Sequence, residues 1–323
     1  MTDPELAAPT AAAPVDAPLS YSGQTEDVFR IWLLNLALNV CTLGVYSFWG
    51  RTRMRRYLWS RVALAGDAFE YTGTGKELFL GFLVTLPILI GFGTAFTLVS
   101  QDPDLIGWLL PVYAGFFYLY FVGYYASYRY LMSRTTWRGI RGRLGGSAWV
   151  FGLVALGATL LSAVTFGVMI PVADVIRIKY QMKNTWFGET QGVFEESDDN
   201  LFGIHMLTAL LAIPTFGLSR IWYAAAVERM RYRSFKIGDL GFQCTYTGGA
   251  LTKLALGNLV ILLLTLGLGM ALVIQRNIRL FAANIAVVGD VSAAVATIAQ
   301  SRAALSKTGE GLGGALNVDV GIA

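Results

Sequence analysis

Gly73-Thr74-Gly75-Lys76 comes nearest in this chain to a recognisable chemical motif. A phosphate loop needs glycine five positions before its Gly-Lys pair and a serine or threonine after it. Glu70 and Glu77 occupy those places. The motif fails, and the stretch reads as a hairpin exit feeding a helix. His205 is the one histidine, and Cys41 and Cys244 are remote from it and from each other. That excludes a Cys/His zinc cluster and a disulfide framework, so both cysteines read as small hydrophobes. Asp174 and Arg220 follow Thr-x-Gly triplets, nine and five residues after the threonine. Asp174 is spaced to pair with Arg177 on a helix face. An ionisable group in an apolar span points to function, although a lone histidine there is commonly a packing residue. There is no GxSxG or HExxH motif, and no nucleophile–base pair can be named. The reading is a non-enzyme with no metal and no cofactor.

What recurs is a pattern. Thr-apolar-Gly occurs at Thr42-Leu43-Gly44, Thr165-Phe166-Gly167, Thr215-Phe216-Gly217 and Thr265-Leu266-Gly267, the last three spaced by 50 residues. Fourteen residues after each threonine stands a basic residue: Arg56, Lys179, Arg229 and Arg279. A partial copy carries Arg129, in a segment Arg129–Arg134 that echoes Arg56–Arg61. Most copies close on glycine and an acid with strand-like flanks, as at Gly188-Glu189 and Gly238-Asp239, which predicts small hairpins. The unit is therefore a membrane helix, a Thr-x-Gly break, a basic amphipathic helix and a short hairpin. The break reads in two ways: a kink within one helix, or the apex of a helical hairpin. Pro214 favours a real break before Thr215 by removing a donor.

Composition says where such units stand. The 323 residues are 55% hydrophobic and 14% charged, with a mean hydropathy of +0.54. A soluble chain carries about 25% charged residues. Runs at Ile31–Trp49, Leu78–Ser100, Leu105–Ser127, Ala148–Ile170, Leu201–Leu218 and Leu254–Ile274 reach or approach the length of a span. The expected fold is thus an all-α integral membrane protein of about six membrane-embedded helices built from repeats. Residues 1–27 read as a disordered acidic tail, 28–300 as the repeat-built membrane domain, and 301–323 as a flexible Gly-rich tail. The loops at 50–77, 128–146 and 219–250 are basic, and the link at 101–104 holds only Asp102 and Asp104. The positive-inside rule puts the three basic loops in the cytoplasm and that link on the far side. The loop at 171–200 is ambiguous.

Thr42–Gly44, Arg51–Arg61, Gly66–Gly81 (GDAFEYTGTGKELFLG), Gly238–Gly257 and the terminal Asp319–Ile322 together resemble the YjgN-like family of bacterial inner-membrane proteins of unknown function. The resemblance runs from about residue 22 to the end. It implies a multi-pass protein of the bacterial inner membrane and carries no catalytic residues with it.

The basic stripes anchor the spans by snorkelling or bind phosphate headgroups with the aromatic residues beside them. The functional expectation is a scaffold or partner subunit, contacting anionic lipid through Arg56, Arg129, Lys179, Arg229 and Arg279. Membrane lipid and another membrane protein are the expected partners, and nucleic acid is not. The alternative is a small-solute or lipid transporter or channel, since internal repeats and broken helices recur in transporters.

Overall fold

The computed structural model describes residues 16–195 and 200–291. Strand β1 (Asp16–Tyr21) comes first, followed by helices α1 (Thr25–Cys41) and α2 (Ser47–Arg61) and the hairpin β2 (Val62–Leu64) and β3 (Asp67–Tyr71). The second unit has α3 (Gly75–Gln101), a 3-10 turn at Pro103–Trp108, α4 (Leu109–Ser133), β4 (Thr135–Trp137) and β5 (Ile140–Leu144). The third has α5 (Ala148–Val164), α6 (Ile170–Lys183), β6 (Thr185–Phe187) and β7 (Thr190–Phe194). The fourth has α7 (Leu201–Leu210), α8 (Arg220–Arg233), β8 (Phe235–Ile237) and β9 (Leu240–Cys244). Helices α9 (Gly248–Leu264) and α10 (Met270–Asn284) lead to β10 (Ile285–Val288), which pairs with β1.

The strands close into an antiparallel barrel in chain order, with β1 between β10 and β2. Tight turns at Ala65-Gly66, Arg138-Gly139, Gly188-Glu189 and Gly238-Asp239 lie at one end. Antiparallel pairing then puts every helix attachment at the other end. Residues paired across strands share a face. The registers Leu19↔Leu64, Phe69↔Trp137, Gly142↔Phe187 and Phe242↔Val287 therefore align one face round the ring. That face is the interior: Leu64, Trp137, Leu240 and Val287 pack together with Phe69 and Phe187, and fill the barrel near its turns. The alternate face carries Glu70, Arg141, Arg143, Lys236 and Gln243, all exposed. Lipid-embedded barrels are apolar outside and polar inside. The opposite pattern here suits a barrel standing in water.

The expected all-α fold of six spanning helices is corrected on both counts. Among the described residues, only Gly75–Gln101 and Pro103–Ser133 are long and apolar enough to cross a membrane. The other four apolar runs fold back on themselves, because each contains a Thr-x-Gly apex, and the kink reading fails. The middle residue and the glycine are both left-handed, at φ +50° and +90° for Leu43 and Gly44 and +49° and +82° for Phe216 and Gly217. The glycine N–H reaches five residues back, from Gly217 to the Ala212 carbonyl at 2.7 Å and likewise in the other three copies. This is the Schellman bond that ends helices. The threonine hydroxyl donates to the carbonyl four residues back and accepts the N–H four residues on, as Thr215 does with Leu211 (2.6 Å) and Ser219 (3.1 Å).

Four of the five outgoing helices begin at side-chain caps. Thr74 and Glu77 form a reciprocal capping box, and Ser147, Asn200 and Thr247 each accept an N–H of their first turn. Neighbouring units share their buried clusters. Tyr125 of α4 stacks on Phe151 of α5 at 4.7 Å, and Val28 of α1 packs with Leu58 and with Ala271 of α10. Gln275 of α10 closes the ring by donating to the Gly23 carbonyl at 2.8 Å and accepting from Thr25. Strand β1 lies within the stretch 1–27 read as a tail. Residues 1–15 and the 301–323 tail lie outside the described residues.

Candidate functional site

The basic residues expected to meet headgroups are turned to another task. Arg56 donates to the Gly73 carbonyl at 3.3 Å, Arg129 to Gly146 at 2.7 Å, and Arg229 to Tyr246 at 2.5 Å. Each acceptor directly precedes the capping residue of the next outgoing helix: Thr74, Ser147 or Thr247. The arginine of one unit thus staples the start of the next. Arg279 is exposed and close enough to Tyr21 to act on its hydroxyl electrostatically. In that unit Gln275 takes the carbonyl before the cap, Gly23. Lys179 is half-buried and engaged within the protein.

A different set of arginines lines an open groove. Arg30 of α1 and Arg53 and Arg61 of α2 edge a groove of about 710 Å³, together with Asp27 and Tyr57, over Ile31, Leu33, Leu34 and Ala37. Three cations against one carboxylate leave it net positive. The Tyr57 hydroxyl donates to Asp27 at 3.0 Å. Burial, opposed by the Gln24 backbone contact and supported by Asp27, raises the Tyr57 phenol above its usual range, so it stays a donor. The Arg61 guanidinium lies 5.5 Å from the Tyr57 ring centroid. The i, i+4, i+8 spacing of Arg53, Tyr57 and Arg61 puts them on one face of α2, while Arg56 is held by the Gly73 carbonyl. Counting basic residues by position in the repeat missed this; reading the helix face finds it.

A second polar feature lies between the third and fourth helical hairpins. Asp174 accepts from Tyr223 at 2.8 Å and from Arg177 at 3.2 Å, and Arg177 reaches Thr159 at 2.8 Å. Arg220 bonds the His205 ring at 3.1 Å and the Thr208 hydroxyl at 3.2 Å, and His205 meets the Gly167 carbonyl at 3.0 Å. Asp174, Arg177, Tyr223, Glu228 and Arg231 line a cavity of about 390 Å³, roofed by Tyr120, Phe121 and Tyr124 of α4. The structure brings together Asp174, Arg177, Arg220 and His205, of which the sequence reading paired only Asp174 with Arg177. Tyr223, Glu228 and Arg231 were missed. Their signal was the repeat itself. Fifty residues from Asp174 stand Ala224 and then Ile274, and fifty residues on either side of His205 stand Ala155 and Ala255. At these two positions the neighbouring copies are apolar.

A family model described as a bacterial protein of unknown function (DUF898) matches residues 16–219 and 206–315. Curated relatives include an inner membrane protein YjgN of Escherichia coli O157:H7, 34% identical over 92 residues, which are 28% of this chain and 22% of that protein. The protein of the same name from Salmonella typhimurium is 35% identical over 72 residues, 22% of this chain and 18% of that protein. The match spans about a fifth of these relatives' length. No solved structure matches.

Proposed function

The chain belongs to this DUF898 family, and from that premise we propose that it is a non-catalytic membrane scaffold that holds anionic lipid on its basic side. It is a protein of the bacterial inner membrane, as its relatives are. The reading rests on the α1–α2 groove. Three arginines stand above an apolar floor that continues along α1 toward its Thr-x-Gly apex. A phosphate suits guanidinium groups because their planar donors match its oxygens, and an acyl chain suits Leu33, Leu34 and Ala37 below. The groove's net positive charge favours an anionic headgroup over a zwitterionic one.

The test is lipid retention. Protein extracted gently from membranes is expected to carry phosphatidylglycerol or cardiolipin in native mass spectrometry. The Arg53→Gln/Arg61→Gln pair is expected to lose it while eluting as the parent does. A parent that folds free of anionic lipid, or a variant that keeps the lipid, removes the reading.

One observation favours the transport reading: the ionisable cleft between the third and fourth hairpins. A route there would run beside the barrel, because packed side chains fill the barrel interior. Proteoliposomes that pass no solute or lipid above the empty-vesicle rate would count against it.

A further inference from the structure

We infer that four of the five helical hairpins are re-entrant, entering only the leaflet on the barrel's side, and that among the described residues α3 and α4 alone cross the bilayer. The surface this assigns is the set of four apices, and its partner is the hydrocarbon near the bilayer midplane. The inference stands whether or not the α1–α2 groove binds a headgroup.

The first argument is the apex residue. Leu43, Phe166, Phe216 and Leu266 are 95, 98, 97 and 92% exposed. Each is a bulky apolar residue at positive φ, near +50°, where an L-residue pays about 1–2 kcal/mol and glycine or asparagine would not. Strain and full exposure at the same place in four copies have no use in water. A tip immersed in lipid tails explains both.

The second argument is the apex backbone. Hydrocarbon offers no water, so every N–H there needs an internal acceptor. From the middle residue of the triplet onward, five consecutive N–H groups are bonded in all four copies. In the fourth unit these run from Phe216 to Arg220, with acceptors Ile213, Ala212, the Thr215 carbonyl, the Thr215 hydroxyl and Gly217. The threonine hydroxyl takes the one N–H that no carbonyl reaches. The link between α3 and α4 is built oppositely. Asp102 and Asp104 are exposed there, and the turn uses an Asp102 carboxylate on the Asp104 N–H at 2.9 Å. That turn suits water.

The third argument is depth. In the first hairpin no charge occurs between Arg30 and Arg51, and in the fifth none between Lys253 and Arg276. The apices Thr42 and Thr265 each lie 12 residues from the outgoing charge, about 18 Å along a helix. The returning charges lie 9 and 11 residues beyond, about 14 and 16 Å. Half of a hydrocarbon core is about 15 Å. From Lys76 to Asp102 is 26 residues, about 39 Å, enough to cross. All hairpins leave the same end of the closed barrel, so all enter from one side. Among the described residues, ten helices then occupy the near leaflet and two the far one. The molecule is a wedge that expands one leaflet.

Single-cysteine labelling tests this in a Cys41→Ser/Cys244→Ser background. An impermeant maleimide is applied to intact cells and to inverted vesicles. Ile106→Cys, exposed beside the acidic link, is expected to label in intact cells, and Glu189→Cys only in inverted vesicles. Leu43→Cys, Phe166→Cys, Phe216→Cys and Leu266→Cys are expected to resist from both sides and to label once detergent is added. Native Cys41, exposed and one residue before Thr42, gives the same readout with the apices untouched when Cys244→Ser is the only change. Apex cysteines that label with Ile106→Cys would make the hairpins full spans; ones that label with Glu189→Cys would put them outside the bilayer. Either overturns the inference. A spin label on Cys41 supplies a depth: oxygen accessibility near its midplane maximum supports the wedge, and a headgroup-level value ends it.

Discussion

Arg229 Nη1 lies 2.5 Å from the carbonyl oxygen of Tyr246, the residue before the threonine that caps α9. One contact thereby joins the returning helix of the fourth unit to the outgoing helix of the fifth. Arg56 and Arg129 make the same junction in earlier units. Repeat architectures derive stability from such nearest-neighbour terms, so these arginines recur because each unit needs its successor.

Arg229→Gln should therefore lower stability rather than lipid retention. A hydrogen bond from a charged donor contributes about 1.5–3 kcal/mol. The thermal midpoint in detergent should fall by several degrees, with bound lipid unchanged in native mass spectrometry. A variant that sheds lipid at an unchanged midpoint would return this arginine to the headgroup role.

Thr215→Val keeps the shape of the side chain and removes its hydroxyl. The Ser219 N–H then loses its acceptor, which costs about 1–3 kcal/mol for a buried donor. Thr215→Ser keeps the oxygen and should restore most of the loss. Unfolding in lipid nanodiscs measures both. Equal midpoints for the valine and serine variants would show that the hydroxyl does nothing at the apex.

The Thr-x-Gly triplets at which helices end and the glycine turns flanked by strands were legible in the sequence. The barrel was not. Its strands are three to six residues long, and each pairs with a neighbour set by ring closure, which no local window contains. The number of spans was misjudged because an apolar run of about 20 residues fits a crossing helix and a bent pair of half-length helices alike. The left-handed turn decides between them, and a leucine or phenylalanine at its centre conceals it. The polar cleft stayed hidden because Asp174 and Tyr223 lie 49 residues apart and meet only when neighbouring units pack.

Glu189 and Asp239 occupy equivalent turns at the same end of the barrel. Cysteines placed there should behave alike, both shielded in intact cells and both labelled in inverted vesicles, with the basic side in the cytoplasm. Native Cys244 should stay slow in both preparations. It faces the packed barrel interior, and burial pushes its thiol up, so little thiolate is present at neutral pH. Opposite labelling of the two turns would mean inverted repeats and would contradict the closed barrel.

Trp137 tests whether the barrel is a packed core or a conduit. Its ring lies 6.2 Å from the rings of both Phe69 and Phe187 and is nearly inaccessible, and its indole N–H donates to the Asp67 carbonyl at 3.0 Å. Trp137→Ala should cost about 3–5 kcal/mol, the range for emptying an aromatic site in a core. Arg143→Ala, on the outer face, loses only an exposed stacking contact with Trp186, about 0.5–1 kcal/mol. Chemical denaturation of both variants in the same detergent compares them directly. If the lumen were a water-filled passage, the tryptophan change would be nearly as mild as the arginine change and would raise solute flux in proteoliposomes. A large loss of stability with no flux is the outcome that a sealed barrel requires.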